Sequence, residues 1–519
     1  MSKINLDALI PREYFEVKDD TKTNISRNTA TLRHEDLKSD AFFFAAIRKP
    51  DFQRETNEWD ENKIIGLLES YLDGDLIPAV ILWKNPSNYT FVIDGAHRLS
   101  AIAAWINNDY GDGDISKKFF DGIIPEDQIE SAERIRQQIR KKIGSFKDFK
   151  LAITNPDKVD SKILERLKNL ATLALQVQWV DGDSTKAEAS FFKINQQAAP
   201  INSTEIKLLK SRKNANCIAA RAIIRAGTGH KYWARFEDEK QEHIEKISKE
   251  INGILFIPNL KNPIKTLDLP LAGKLLAAGS LQLILNLVNI SNNIDKDSEG
   301  NIKEDADGNE TIKYLDNCLK ICRKINSNHP SSLGLHPIIY FYSKDGRHKP
   351  ASFYGIIGLL IKFDKKPNLR NNFIDIREKF EETLLKYDYL VQQIGRKYRQ
   401  ADKAVIHIKN FYLKIIELLI QNKEIETSID EIIKSEKFNY LTKDPSEYNE
   451  YSTDFSRGTK SKTFIKEAIE NALKCKICGG YIHKNSISID HIYRKEDGGT
   501  GTPDNAQLTH PYCNTGYKN

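Results

Sequence analysis

The chain has 519 residues, 40% of them hydrophobic and 29% charged, with a formal net charge of +6. That length predicts two to four domains with real cores, and the modest charge excludes a polycation. Six cysteines are too few for a disulfide framework, and the start MSKINLDALIPREYF carries charges where a signal peptide needs an apolar run; a reduced, cytoplasmic chain is expected.

Residues 1–40 are polar and expected to be partly extended. The stripe Ile64, Ile65, Leu67, Leu68 and Leu72 predicts a helix that Asp60 caps and Gly74 ends. Strands follow at Val80–Trp83 and Tyr89–Ile93, across an Asn-Pro-Ser-Asn turn. Asp94-Gly95 then turns the chain into a helix over Ala96–Ile106. A strand, a glycine turn and a helix start make an anion site, because unpaired N–H groups point outward there. Arg98 lies in the first turn and can close on a phosphate. Asp94 and His97 flank the same point and can bind a metal or handle a proton. Taken alone, the DG-x-HR corner is more simply an ordinary strand-to-helix junction with a surface arginine.

The context changes that weighing. IDGAHRLSAI, preceded by PDFQR and LIPAVIL and followed by FFKINQQAAPINSTEIKLLK at 191–210, resembles the ParB-like domains with a DGQQR or DGQHR motif. These occur in modification-dependent restriction and phage-defence proteins, Gmr-type and phosphorothioate-sensing systems among them. The resemblance implies nucleotide or modified-DNA sensing by Asp94, Gly95, His97 and Arg98, with Gln53, Arg54 and Asn195 nearby. Ala96 departs from the family, which commonly has glutamine there. A methyl cannot hydrogen-bond a phosphate, so hydrolysis of a nucleoside triphosphate is not expected even where one binds. Without the resemblance, Gln53 and Arg54 read as solvated residues and Asn195 as a turn cap ahead of Pro200.

The middle of the chain reads as mainly helical. A basic amphipathic helix is expected over 125–150, with Arg134, Arg136, Arg140, Lys141 and Lys142 as a solvated face rather than a DNA contact. Ser203 opens a helix running through Lys213 toward Arg225, and helical periodicity resumes over His230–Ile251. The most apolar stretch, Leu271–Ile290, holds Lys274, Gln282, Asn286 and Asn289, so it predicts a core helix and no membrane span. Residues 291–311 are acidic and aperiodic, a surface loop without calcium-loop spacing. Cys318 and Cys322, four apart, are expected to pack, and His336 before Pro337 to be structural. Two long helical patterns fill 372–435, broken near Gly395. Arg396, Lys397, Arg399 and Lys403 around Tyr398 form either a phosphate-contact patch or a wet helix surface.

The last stretch carries the chemistry. Cys475-x-x-Cys478 and His510-x-x-Cys513 have the arithmetic of a closed tetrahedral zinc site. Between them a short strand ends in Asp490-His491, a loop with Gly498, Gly499 and Gly501 follows, Ala506–Thr509 returns as a second strand, and Asn514 follows the last cysteine. An aspartate and an amide suit a hard cation such as magnesium, and a histidine beside them can deprotonate a water. Residues 455–519 hold ten Lys/Arg against six Asp/Glu, which suits a phosphate backbone. His483 has no spaced partner and reads as an exposed turn residue.

This tail resembles the zinc-containing HNH (ββα-metal) nucleases. The resemblance implies His491 as general base, Asp490 and Asn514 as ligands of a catalytic Mg2+ or Mn2+, Asn505 as the asparagine that orients the loop, and zinc on Cys475, Cys478, His510 and Cys513. His510 stands where a third zinc cysteine is usual, and Asn514 replaces the final histidine. The CxxC and HxxC pairs alone would equally describe a zinc knuckle that cuts nothing.

The expected architecture is α+β: a ParB-like domain over 1–215, a helical domain over 216–438, a linker over 439–462 and a ββα module over 463–519. The expected function is metal-dependent cleavage or nicking of foreign, modified double-stranded DNA in anti-phage defence. The alternatives are a non-catalytic DNA-binding regulator and a nucleotide-gated toxin nuclease acting on host DNA. One nuclease tail per chain would need a second copy, or two visits, to cut both strands, so a homo-oligomer is open.

Overall fold

The computed structural model describes residues 4–15, 29–53, 56, 59–198, 208, 211–275, 279–294, 302–398, 401–443 and 454–518. Two compact units emerge: Met1–Arg212 with Thr228–Tyr232, and Lys213–Gly227 with Trp233–Asn519.

The first unit is built on six strands: β1 (Arg12–Glu13), β2 (Thr31–Leu32), β3 (Ile47–Pro50), β4 (Val80–Lys84), β5 (Thr90–Asp94) and β6 (Leu175–Trp179), in the order β1-β3-β5-β4-β6-β2. β5 runs parallel to β3 and antiparallel to β4, pairing Val92 with Leu82 and Phe91 with Trp83. The β4–β5 turn is tied by Asn85, whose Oδ1 accepts from the Tyr89 N–H at 2.8 Å. Alternate side chains of a strand face opposite sides. Val80, Leu82 and Val92 join helices Glu61–Asp73 and Ala96–Asn107 in the larger core. Trp83, Phe91 and Ile93 join Phe15, Phe52 and Phe191 in a smaller one. Burial on both faces explains why the two strands read as unbroken apolar runs.

Helix ends follow local signals. Asp60 accepts from the Lys63 N–H at 3.1 Å, and Gly74 takes the left-handed conformation at φ 80°. The helix expected over 125–150 is two helices, Glu126–Lys142 and Phe146–Thr154. Gly144 at φ 99° breaks them, and Ser145 caps the second in a reciprocal pair with Asp148. Arg136 in that basic run serves the fold, gripping Asp112 at 2.7 and 2.9 Å.

The second unit is mainly helical. Helix Asp238–Phe256 begins later than the expected His230, and Ser280–Ser291 is only the last part of the apolar stretch, begun after Gly279 at φ 103°. Cys318 and Cys322 are buried on Asn309–Ile325, where desolvation pushes the Cys318 thiol up to about 12. Helices Pro350–Lys365 and Ala401–Ile420 pack together in the core. Gly395 lies inside helix Asp388–Tyr398 and does not break it; the Tyr398 ring stacks on His407 at 3.8 Å. Arg399, residues 203–207 and residues 295–301 of the acidic loop lie outside the described residues. The polar segment expected as linker through residue 462 turns helical at Arg457–Glu470, capped by Ser456, whose Oγ accepts from the Thr459 N–H at 3.1 Å. No described helix is long and apolar enough to cross a membrane.

Candidate functional site

Cys475, Cys478, His510 and Cys513 converge: their ligand atoms all lie within 4.8 Å of one another, and all four residues are buried. Nδ1 of His510 is 3.4 Å from Sγ of Cys478 and 3.8 Å from Sγ of Cys513. Zinc bonds of about 2.0–2.3 Å in a tetrahedron put neighbouring ligands about 3.5–3.8 Å apart. The cluster therefore fits a metal such as zinc. Nε2 of His510 lies 3.1 Å from the Tyr481 carbonyl. Donation there leaves Nδ1 to face the sulfurs. Burial lowers the His510 pKa, keeping the imidazole neutral as a ligand requires. Hydrogen bonds from Cys478 and Cys513 hold the Cys475 thiol far below its ordinary value. Three sulfurs this close cannot all ionise without a cation among them.

The cluster rests on a buried ion pair that local sequence does not announce. Arg377, fully buried, sits 2.7 Å from Glu381, donates to the carbonyls of Leu333 and Gly334, and reaches within 3.2 Å of His510 Nδ1. Glu381 in turn accepts from the Tyr340 hydroxyl at 2.8 Å and the Tyr481 N–H at 2.7 Å. A Cβ on Gly480 would lie 2.3 Å from Arg377 Nε, so only glycine admits the guanidinium. His483 is not exposed as expected. It is 3% exposed, 3.1 Å from Asp268 and 3.3 Å from Asn326, with its ring 5.1 Å from that of His336. Its partners are distant in sequence, so nothing local predicted its burial.

Strands β7 (Ser488–His491) and β8 (Ala506–Thr509) run antiparallel, with Asp490 opposite Gln507 and His491 opposite Ala506. Asp490 is buried; His491 is partly exposed beside exposed Ile489, Ile492 and Tyr493. The Asn514 amide donates to Ser488 Oγ at 2.8 Å and to the Ile489 carbonyl at 3.1 Å, which ties it to the strand bearing Asp490 and His491. Asn505 clamps the intervening loop: its Oδ1 accepts from the Tyr493 N–H at 2.7 Å, and its Nδ2 donates to the carbonyls of Tyr493 and Thr500 at 3.1 and 2.8 Å. Gln507 and Lys518, neither singled out by the sequence, both bond Asp490 Oδ2, at 2.8 and 2.6 Å. The closing turn, Cys513–Tyr517, is π-helical, with the Lys518 N–H on the Cys513 carbonyl at 3.2 Å. That wide turn carries Lys518 to Asp490.

In the first unit, Gln53, Trp59, Asp94, Gly95, Ala96, His97 and Arg98 line one pocket of about 140 Å³. Gly95 has φ 98°, and a Cβ there would come within 3.0 Å of Arg98 Nη2. Arg98 is bonded to Asp94 at 2.8 Å and to the Ala79 carbonyl at 3.1 Å. The His97 ring stacks on Trp59 at 5.7 Å, a partner that sequence reasoning missed. Arg12 fixes the Gln53 carbonyl at 3.1 and 3.3 Å, while the buried Gln53 Oε1 has no hydrogen-bond partner among the described residues. Asn195 lies within helix Ser184–Ala198 rather than on a turn; its side chain and all of Arg54 fall outside the described residues.

Two family models match parts of the chain. The N-terminal domain of GmrSD restriction endonuclease matches residues 35–212, and HNH endonuclease matches residues 475–519. No curated protein and no solved structure matches the chain. The chain is a DNA-hydrolysing nuclease. More particularly, it joins a GmrSD-type N-terminal domain to a C-terminal HNH endonuclease domain, as a restriction nuclease with DNA as its substrate.

Proposed function

We propose that the chain cuts or nicks foreign, modified double-stranded DNA, with His491 as the base and Asp490 and Asn514 as oxygen ligands for Mg2+ or Mn2+. The observation that carries this reading is the Asn514 amide tied to the very strand that holds Asp490 and His491. An amide carbonyl oxygen such as that of Asn514 and a carboxylate such as that of Asp490 are the oxygen donors that suit a hard ion. That ion would polarise the scissile phosphate and take up charge on the departing 3′ oxygen. The His491 imidazole removes a proton from the attacking water. Asn505 keeps the loop after His491 in one conformation. The metal cluster on Cys475, Cys478, His510 and Cys513 is structural, since all four of its ligands come from the protein.

The N-terminal pocket is the sensor in this reading. Stacking Trp59 and His97, the open hydrogen-bonding capacity of Gln53 and the helix start at Gly95 suit a nucleotide or a modified base. Arg98 would leave Asp94 to close on a phosphate. Ala96 supports binding without hydrolysis. The test is cleavage of matched modified and unmodified duplexes with Mg2+ or Mn2+, each with and without nucleoside triphosphate. His491→Ala and Asp490→Asn should abolish cleavage while leaving DNA retention intact. Arg98→Ala should erase the preference for modified DNA. Equal, metal-independent retention of uncut DNA by the parent and His491→Ala would leave a zinc-module binder instead.

A further inference from the structure

Lys518 is the least expected neighbour of the nuclease site. Its ammonium lies 2.6 Å from Asp490 Oδ2 and 2.6 Å from the His491 carbonyl. Gln507 already donates to the same carboxylate oxygen at 2.8 Å. The Asp490 side chain is only 7% exposed, and that of Lys518 21%. A cation held on a nearly buried carboxylate is poorly screened by solvent.

We propose that Lys518 and the divalent ion compete for Asp490, so that the ion enters tightly only when a DNA phosphate draws the ammonium away. This rests on Asp490 being an ion ligand. The ammonium is a compact point charge on a flexible four-carbon stem, able to exchange one anionic partner for another without moving the backbone. A scissile phosphate brings such an anion to this corner, and exposed Ile489, Ile492 and Tyr493 leave the approach open. Metal loading then follows substrate binding, which limits stray hydrolysis by a loaded enzyme without DNA. By contrast, Lys474 pairs with a Glu378 carboxylate that is 59% exposed and therefore well screened.

The experiment reads ion binding, not cleavage. Free Mn2+ is followed by its paramagnetic resonance during titration of the zinc-loaded full chain, in a His491→Ala background, with and without a short duplex. Without DNA, Lys518→Met should bind Mn2+ about tenfold more tightly or better, and Lys518→Gln should do the same, while Lys518→Arg stays near the parent. Adding duplex should tighten binding by the parent and move Lys518→Met little. Zinc stoichiometry reports that each variant is folded, and the duplex effect on the parent needs no variant at all. Equal or weaker Mn2+ binding by the Met and Gln variants, or a parent affinity unmoved by duplex, overturns the proposal. Asp490→Asn separates the two levels: if it loses Mn2+ while Lys518→Met is unchanged, only the competition fails. If Asp490→Asn binds Mn2+ like the parent, the ligand assignment fails and the competition with it.

Discussion

The Arg377 guanidinium stands 3.2 Å from Nδ1 of His510, so a buried cation from the helical body meets the Cys/His cluster directly. Three thiolates around a divalent ion leave one net negative charge; the Arg377 guanidinium faces it, and the Glu381 carboxylate holds that guanidinium in place as a relay. Replacing Arg377 with Met strands the buried Glu381 carboxylate. The expected loss is about 3–5 kcal/mol of stability, with reduced zinc content. Urea unfolding and metal analysis check this. The double variant Arg377→Met, Glu381→Met should recover part of the loss; a double variant as damaged as the sum of both singles would speak against the relay.

Gly480→Ala tests the same contact from the other side. Its Cβ would fall 2.3 Å from Arg377 Nε. Overpacking of this kind costs about 1–3 kcal/mol. Gly501→Ala, with nothing within 4 Å of the added Cβ, should be near neutral. Thermal melts of the two variants, compared with the parent, decide it.

Chelating the cluster metal should dissolve β7 and β8, since the module has few buried apolar side chains of its own. Amide exchange over 488–491 and 506–509 should become fast, and cleavage should not return on adding Mg2+ alone. Slow exchange in the metal-free protein would mean that the helical body holds the module without metal.

Acid should destabilise the chain through His483. Burial holds its folded pKa at about 4, below the ordinary value near 6.5. Between those values the unfolded chain takes up a proton that the folded chain refuses. Stability present above about pH 6.5 is thus lost progressively as pH falls toward about 4, by up to about 3 kcal/mol. His483→Gln should show a shallower fall across that window; identical slopes would assign the acid sensitivity elsewhere.

Asn505→Ala removes three hydrogen bonds that pin the loop after His491. Cleavage should fall about 10- to 100-fold with zinc content unchanged. A variant that keeps full activity would show that the loop holds its shape through backbone bonds alone.

What the sequence determined by itself was set by near neighbours. Asp60 and Gly74 bound a helix because caps act within one turn. The strand pair before Asp94 and the β7–β8 pair were legible from alternation and turn residues. The coming together of Cys475, Cys478, His510 and Cys513 was legible because two close-spaced pairs leave few other arrangements. Breaks at Gly144 and Gly279 were missed because apolar or amphipathic periodicity continues through both. Tertiary structure alone decided the rest: Arg377 and Glu381 beneath the cluster, His483 turned inward against Asp268, Trp59 under His97, and Lys518 on Asp490. The reason is the same in most of these cases. Arg377 lies 133 residues from His510 and His483 157 from Asn326; a charge or imidazole that finds its partner across such a gap leaves no periodicity to read, and only the folded chain shows which buried polar group it answers.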